Sequence, residues 1–227
     1  MHIRQAWTDD AQGIRRVRER VWPHDPVEET RIDAALCASD HSTSVAISED
    51  AVIGFVDGFV TVSAAGIRRW EVDLLAVHPA SRGQGIASQL VEHSTRAGLE
   101  HGAALARALI QVDNTASQRA FEKNAYITNS ITHHLYVTSA RYMGGALPVL
   151  PGMHAVVVST LNYRGVWLEG CWTADAFRAA QALLAQHQCD VAGAVIPAHD
   201  ADAGRAAQVA GYELIALYHW WYRDLHR

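Results

Sequence analysis

Three features are scarce in this chain of 227 residues: cysteine, basic charge and long apolar runs. Cys37, Cys171 and Cys189 lie far apart and lack metal-ligand spacing, so we expect free thiols in a reducing compartment. The formal net charge of −5 argues against a surface built to bind nucleic acid, and we expect no such partner. No apolar run approaches the roughly 20 residues of a bilayer span, and the N-terminus has no apolar signal segment. We therefore expect no membrane partner and a cytoplasmic location.

What remains is the composition of an ordinary globular protein, with 49% hydrophobic and 19% charged residues. Histidine is frequent, at 13 residues, and most of the histidines are scattered. The adjacent pair His133-His134 falls on a predicted strand, where the two rings point to opposite faces. We accordingly expect no metal site.

The first 139 residues alternate between strand and helix patterns in the order β-α-α-β-β-β-α-β-α-β. A strand at Trp70–Val77 is stopped by Pro79, and a helix is predicted from Gly83 to about Leu99. A strand at Leu105–Val112 and a helix at Thr115–Lys123 follow. Strand–helix–strand units with short connections predict a mixed α/β sheet.

Residues 140–152, with two adjacent glycines and two prolines, are predicted to link this domain to a second unit at 153–227. The second unit partly repeats the first at an offset of 86 residues, which places Asn114 on Asp200 and Tyr136 on Tyr222. At the same offset, two apolar stretches coincide. This pattern predicts a smaller, degenerate α/β half-repeat.

The most informative stretch is Arg82-Gly83-Gln84-Gly85-Ile86-Ala87, which follows the strand ending at Val77 and opens a helix. Glycines at such a position let the backbone approach a phosphate, and the N–H groups of the helix start attract an anion. The small side chain of Ala87 keeps the first turn open. The sequence lacks the Lys-Ser/Thr of a P-loop and the third spaced glycine of a dinucleotide fold.

At these residues the chain resembles the GCN5-related N-acetyltransferase (GNAT) family. Arg82–Ala87 is similar to that family's Gln/Arg-x-x-Gly-x-Gly/Ala signature, and Asn114–Tyr126 is similar to its second block. The resemblance implies an α/β (α+β) fold for residues 1–139, with a mixed, mostly antiparallel sheet flanked by helices. It also implies acetyl-CoA as the co-substrate.

The resemblance implies that the pantetheine arm of CoA runs along an edge where two strands splay, bonded to backbone groups that also polarise the thioester carbonyl. The pyrophosphate would lie at the glycine loop, and the second block would contact the cofactor further out. The implied cofactor-binding residues are Leu75, Ala76, Val77, Arg82, Gly83, Gln84, Gly85, Ile86, Ala87, Asn114, Ser117 and Phe121.

A base is needed because an acceptor amine, with a pKa of about 10.4, is protonated near neutral pH. Glu71 occupies the strand position where many members of the family keep a glutamate, and Asp73 points to the same face two residues later. The expected catalytic residues are Glu71, as general base, and Asp73; one carboxylate takes the proton while the other orients the amine.

One departure concerns Phe121, which stands where many relatives have a tyrosine that protonates the leaving thiolate. The loop holding Trp22, His24 and Asp25 is expected to border the acceptor, as it commonly does in the family. The second half lacks the arginine and glycine pair, so we expect no second CoA site. Its aromatic end, Tyr218–Tyr222, is predicted to be a buried strand and interface in preference to a ligand cage.

The expected function is transfer of acetyl from acetyl-CoA to a primary amine of a small molecule by direct attack. Two alternatives stay open: a CoA-binding module with weak turnover, which Phe121 permits, and a protein or peptide N-acetyltransferase. The resemblance also leaves room for a homodimer.

Overall fold

A computed structural model describes residues 1–25, 27–144 and 150–226, and within these ranges it contains ten strands and six α-helices. The elements of the first half are β1 (His2–Gln5), α1 (Ala11–Val21), α2 (Glu29–Leu36), β2 (Ser44–Ser48), β3 (Ala51–Val62), β4 (Arg68–Val77), α3 (Ile86–Glu100), β5 (Leu105–Gln111), α4 (Thr115–Glu122) and β6 (Ile127–Thr138). Those of the second half are β7 (Met153–Ser159), β8 (Arg164–Gly170), α5 (Ala174–Gln186), β9 (Val191–Pro197), α6 (Ala201–Val209) and β10 (Glu213–Asp224).

The predicted element order of the first half is confirmed, and most boundaries lie within two residues of the prediction. The main difference is the start of α3, which is Ile86 and not Gly83. Gly83 and Gly85 have φ angles of +81° and +76°, in the left-handed region that a helix interior does not use. The glycines therefore form the loop, and the helix begins directly after it.

All ten strands belong to one sheet, in the order β1-β2-β3-β4-β5-β10-β6-β9-β8-β7. The pairs β4–β5 and β8–β9 are parallel, and the other neighbouring strands are antiparallel. The predicted mixed, mostly antiparallel sheet flanked by helices is confirmed.

The two halves of the chain exchange strands at the centre of this sheet. β10 lies between β5 and β6, and β6 in turn pairs with β9 of the second half. β6 and β10 correspond residue for residue at the offset of 86 seen in the sequence. Asn114 and Asp200, which that offset also aligns, each accept a hydrogen bond at a helix N-cap. The duplication and the division into units 1–139 and 153–227 stay predictions; of the predicted linker, residues 145–149 lie outside the described residues.

Helices cover the outer face of the sheet along most of its width. α3 and α4 pack on a core that includes Trp70 and Trp221, while α5 and α6 pack on a second core that includes Tyr136 and Phe177. α1 and α2 pack on the opposite face, on a third core around Phe55, whose neighbour Val56 on β3 belongs to the core under α3. Trp221 of β10 is 4% exposed inside the core of the first half, so the C-terminal strand is an integral part of that half.

The sheet curls so that its last strands return towards β3 and β4. In the turn after β7, the Leu161 N–H donates to Asp57 Oδ2 of β3 at 3.1 Å. His154 Nε2 of β7 lies 2.8 Å from the Val62 carbonyl oxygen at the end of β3. The curl encloses a cavity of about 790 Å³ on the inner face of the sheet, which we call the central cavity.

Candidate active site

A β-bulge at Leu74 opens the sheet beside the central cavity. Phe55 pairs with Ala76 and Asp57 with Asp73, so one residue of β3 opposes two of β4. Leu74 has a φ of +43°, a strained conformation for a branched side chain, which the extra residue imposes. The parallel β4–β5 ladder ends at the pair of Glu71 with Arg107, and no later pair joins these strands within the described residues.

The edge of β4 beyond Glu71 is therefore free on the side of β5, as the resemblance implied for the pantetheine arm. Leu75, Ala76 and Val77 lie on this edge. An extended ligand can add to such an edge through main-chain hydrogen bonds.

The glycine loop after β4 is open to solvent. Gly83, Gln84 and Gly85 are exposed, and a Cβ atom placed on either glycine would meet no atom within 4 Å. Gly85 is the N-cap of α3 and, having no side chain, leaves the first-turn N–H groups uncapped. These N–H groups and the positive end of the helix favour an anion such as a pyrophosphate.

The N-termini of the other outer-face helices are capped by their own side chains. Asn114 caps α4, Thr173 caps α5 and Asp200 caps α6, each by accepting a hydrogen bond from a backbone N–H. In α5, the helix that corresponds to α3, the Thr173 hydroxyl thus takes the position that an anion would need. The absence of a second CoA site stays a prediction.

The other implied cofactor residues differ in exposure. Arg82 is exposed, and its Nε donates to the Val77 carbonyl oxygen at 3.2 Å. Ala87 is half-buried, whereas Ile86 is 1% exposed, so only the backbone of Ile86 is available to a ligand. Asn114 Oδ1 accepts from the Ser117 N–H at 3.1 Å, which leaves the side-chain amide of Asn114 as its free donor.

Phe121 lies in the core and is 2% exposed. Its ring packs edge-on against Tyr126 with 4.9 Å between the centroids, and Tyr126 Oη lies 2.9 Å from Thr95 Oγ1. The buried position of Phe121 therefore does not support the expected contact with the cofactor. Tyr126 cannot replace the absent tyrosine hydroxyl either, because it too is buried and burial raises its pKa to about 12.

Glu71 is buried and held by a cluster of charges. Arg107 Nε donates to its two carboxylate oxygens at 2.9 and 2.8 Å, and Thr61 Oγ1 donates to Oε1. Arg107 Nη2 also bonds Glu169 of β8 at 2.9 Å, and Arg69 Nη1 bonds Glu169 at 3.1 Å. We call Arg69, Glu71, Arg107 and Glu169 the charge cluster. Arg107 and Thr61 thus occupy both oxygens of the Glu71 carboxylate, which leaves little room for an incoming amine to contact them.

Asp73 lines the central cavity next to the bulge and forms no ion pair within the described residues. Burial and the nearby carboxylates of Asp57 and Glu71 raise the pKa of Asp73 to about 7. Asp57, its cross-strand partner, is fully buried and accepts hydrogen bonds from Thr43 Oγ1 and two backbone N–H groups. A carboxylate with a pKa near neutrality is suited to general-base catalysis.

The aromatic end of the chain forms one wall of the central cavity. Tyr218, Trp220 and Tyr222 alternate along β10 and face the cavity, while Trp221 faces the opposite core. The expectation of a strand is confirmed, and the preference for an interface over a ligand cage stays a prediction; the structure adds that three of these rings line the cavity. The sequence already indicated that these rings share one face of the strand, because aromatic residues occupy every second position.

Of the expected acceptor loop, the structure places Asp25 in the cavity wall. Asp25 Oδ2 accepts from Arg18 Nη2 at 2.7 Å, and the Arg18 guanidinium lies 5.5 Å from the Trp22 ring centroid. His24 is exposed to solvent. The substrate role of these three residues stays a prediction.

Sequence reasoning missed Arg69, Arg107 and Glu169. The available signal was weak: a charged residue at the centre of a strand such as Leu105–Val112 requires a buried partner. The partners lie on different strands, and Glu169 is 62 residues away from Arg107 along the chain. Only the curl of the sheet brings them together.

The chain belongs to the Acetyltransferase (GNAT) family, whose model matches residues 4–126, a little more than half of the sequence. The matched region contains the bulge, the open edge of β4 and the glycine loop. The protein is accordingly an N-acetyltransferase that uses acetyl-CoA.

Solved structures share this fold. A Pyrococcus horikoshii protein assigned as an acetyltransferase is 12% identical, with a TM-score of 0.63, and the match covers 98% of this chain and 89% of that one. A GCN5-related N-acetyltransferase from Sphaerobacter thermophilus is also 12% identical, with a TM-score of 0.59, covering 98% and 95%. A Salmonella typhimurium protein, solved with its cofactor acetyl-CoA, is 18% identical with a TM-score of 0.53, covering 64% and 86%.

The curated proteins contain no match to this chain. In the part of the chain that the structure describes, none of the helices combines the length and the apolar composition that a bilayer crossing requires.

Proposed function

We propose that this enzyme acetylates a primary amine of a small molecule held in the central cavity, with Asp73 as the group that accepts the proton. The observation that carries the proposal is the position of Asp73. It lies directly after the last β4–β5 pair, where the open edge begins, and it also lines the cavity. One carboxylate therefore borders both the cofactor edge and the acceptor space.

The residues around the open edge fit acetyl-CoA. The uncapped start of α3 and the exposed glycines would hold the pyrophosphate, and the backbone of Leu75 to Val77 would hold the extended arm. When bound, acetyl-CoA supplies the acetyl group as an activated thioester. The backbone N–H groups beside the bulge are fixed by the sheet and can bind the carbonyl oxygen without reorganisation.

The sequence favours Glu71 as the base, and the contacts of the charge cluster favour Asp73 instead. Glu71 neutralises Arg107 and fixes the wall of the cavity. Asp73 makes no ion pair among the described residues, and the more distant charge of Arg18 only partly offsets the effect of burial, so an incoming ammonium can bind Asp73 and transfer a proton. This assignment keeps both carboxylates in the site and moves the role of general base from Glu71 to Asp73.

The closure of the cavity supports a small acceptor over a protein. The turn after β7 is bonded to β3, and Glu169 of β8 is bonded to β4 and β5. A volume of about 790 Å³ is in the range of small-molecule pockets, and a peptide would need a groove that runs across the surface.

The test is thiol release from acetyl-CoA in the presence of a panel of small primary amines. Gly85→Glu puts a carboxylate at the helix start, and we expect it to abolish acetyl-CoA binding measured by calorimetry. The matched control is Gly66→Glu, because Gly66 is an exposed turn glycine with a nearly equal φ of +77°. Equal loss of binding in both variants, or thiol release with peptides only, would refute the proposal.

A further inference from the structure

The cations in the wall of the central cavity are already neutralised. Arg107 binds Glu71 at 2.8 Å and Glu169 at 2.9 Å. Arg69 lies 3.0 Å from Glu169 and 3.5 Å from Glu71. Two guanidinium groups and two carboxylates thus form a closed set with no net charge, which leaves neither cation available for an anionic group of a ligand.

The remaining basic groups near the cavity are unsuited to bind an anion. Arg18 is 1% exposed, lies against the Trp22 ring and binds Asp25 through Nη2. Its Nη1 is buried without a hydrogen-bond partner among the described residues, but Arg18 is not one of the residues that line the cavity. His133 lines the cavity, but burial lowers its pKa, so the imidazole is neutral near pH 7. Within the described residues, the wall therefore offers no free cation to a carboxylate or a phosphate.

The acidic groups of the wall leave one anchor for a positive charge. Glu71 and Glu169 belong to the charge cluster, and Asp25 is paired with Arg18. Asp73 is the carboxylate of the wall with no ion-pair partner among the described residues. A ligand with a single ammonium group matches this count, whereas a polycation would leave its other charges unpaired in a largely apolar space.

Most of the remaining wall is aromatic or aliphatic. Trp167 of β8, Tyr218 and Trp220 of β10, Leu109 of β5 and Leu135 of β6 line the same cavity. The Arg107 guanidinium stacks on one face of Trp220, 4.2 Å from the ring centroid, which leaves the other face of the indole for a ligand. Aromatic side chains of this kind pack well against a flat ring.

One further polar group of the wall is free to bind a ligand. Trp172 also lines the cavity, and its buried Nε1–H has no acceptor among the described residues. It could donate to one polar substituent on the ligand.

We infer that the acceptor is a primary arylalkylamine without a carboxylate: one ammonium group at Asp73 and an aromatic ring between Trp167 and Trp220. This inference rests on the proposed transfer to a small amine and specifies its substrate class. α-Amino acids are excluded by their carboxylate, and aminoglycosides and polyamines by their extra charges.

The experiment compares 2-phenylethylamine with L-phenylalanine, which differ only by the α-carboxylate. Kanamycin and spermidine represent polycations. We expect kcat/KM for 2-phenylethylamine to exceed that for L-phenylalanine by about 100-fold or more, because a buried carboxylate without a cation is strongly disfavoured. Binding is measured separately, from the quenching of tryptophan fluorescence, so that it does not depend on turnover.

Trp220→Ala tests the aromatic wall. We expect KM for 2-phenylethylamine to rise about tenfold, since stacking and burial of one ring are lost, while KM for acetyl-CoA stays unchanged. The control is Trp7→Ala, because Trp7 is 61% exposed and lies outside the cavity wall. Retention of the wild-type KM in Trp220→Ala would contradict the inferred position of the ring.

The two readouts separate failure of the inference from failure of the proposed function. Thiol release with L-phenylalanine, kanamycin or spermidine that equals or exceeds release with 2-phenylethylamine would overturn the substrate class and keep the transferase. Quenching by 2-phenylethylamine without thiol release would sustain the ligand class and reject the transfer. If 2-phenylethylamine caused neither fluorescence quenching nor thiol release, the inference would be overturned.

Discussion

At the scale of single residues, the site contains two neighbouring carboxylates with different surroundings. Glu71 accepts hydrogen bonds from Arg107 and Thr61, whereas Asp73 faces the cavity and makes no ion pair among the described residues. Different surroundings commonly give two like groups in one site different roles. The first prediction concerns this difference.

Asp73→Asn is expected to lower kcat by roughly 10²- to 10⁴-fold, the usual contribution of a general base. In the wild type, kcat at saturating amine should rise with pH through about 7, because Asp73 must lose its proton to act. The variant should lack this rise, and Glu71→Gln should keep it. Loss of the rise in Glu71→Gln, with its retention in Asp73→Asn, would instead identify Glu71 as the base.

The same residue should make stability depend on pH. Its pKa is raised from 3.8 to about 7, so between these values the folded protein binds a proton that the unfolded chain has released. The free energy of unfolding therefore falls as pH rises from about 4 to about 7. Asp73→Asn should be more stable than the wild type at pH 8, by on the order of 1–2 kcal/mol after discounting for solvent in the cavity. Urea unfolding of both proteins at pH 4.5 and pH 8 measures this difference in the free energy of unfolding. If the difference were the same at both pH values, the titration of Asp73 would not be linked to stability.

Tyr218 is the candidate for protonating the leaving thiolate, since Phe121 has no hydroxyl. It lines the cavity, and burial raises its pKa, with the charge of Asp73 adding to the effect, so the phenol keeps its proton at neutral pH. Tyr218→Phe should lower kcat by roughly 10- to 100-fold with little change in KM. Tyr222→Phe, on the same face of β10, is the matched control. A wild-type kcat in Tyr218→Phe would mean that the thiolate leaves without this proton donor.

At the scale of elements, α3 is held close to the sheet by glycine. A Cβ atom on Gly98 would lie 2.5 Å from Cγ of Trp70, which is fully buried and donates a hydrogen bond to Ser94 Oγ at 3.1 Å. Two effects therefore oppose each other when alanine is introduced. Alanine improves helix propensity by about 0.5–1 kcal/mol, and overpacking in a rigid core costs about 1–3 kcal/mol.

The overpacking should prevail, so Gly98→Ala is expected to lower the free energy of unfolding by about 1–2 kcal/mol. Gly204→Ala in α6 is the control, because its Cβ would meet only the hydroxyl end of Tyr136, at 3.0 Å. That variant should stay within about 0.5 kcal/mol of the wild type. Denaturant unfolding of both variants decides the matter, and a Gly98→Ala protein as stable as the wild type would show that Trp70 can move.

Most elements could be predicted from the sequence because their signals are local. Proline stops β4, glycines delay the start of α3, and Asn114 caps α4, so these boundaries are fixed by nearby residues. The pairing of strands is not local. Nothing within β10 indicates that it pairs with β5 and β6, because that pairing depends on contacts between residues 76 to 119 positions apart in the chain.

In the candidate site, too, the local features could be predicted and the long-range contacts could not. The glycine loop and the two carboxylates could be identified from spacing and resemblance, since they lie within one strand–loop–helix unit. The partners of Glu71 could not, because Arg107 and Glu169 lie on other strands. The role of Glu71 therefore changes when the fold is known, although its position in the site does not.

At the scale of the whole molecule, the exchange of β6 and β10 makes the two halves depend on each other. The ladder between β5 and β10 runs from Gln111–Tyr218 to Leu105–Asp224, and Trp221 fills the core of the first half. A fragment ending at residue 144 would lose all of these contacts and expose the edges of β5 and β6. Unpaired edges of this length favour aggregation over folding.

We therefore expect fragment 1–144 alone to show no cooperative thermal unfolding and no acetyl-CoA binding, although it contains the whole glycine loop and both carboxylates. Fragment 150–226 should fail as well, because β6 is the strand that pairs with β9. Co-expression of the two fragments should restore a complex that binds acetyl-CoA, since each fragment supplies the strand that the other lacks. Circular dichroism melting and calorimetry of each fragment and of the complex test this dependence. If fragment 1–144 melted cooperatively and bound acetyl-CoA by itself, the C-terminal half would be an addition to a complete domain, and the exchanged strand would have no role in assembling the site.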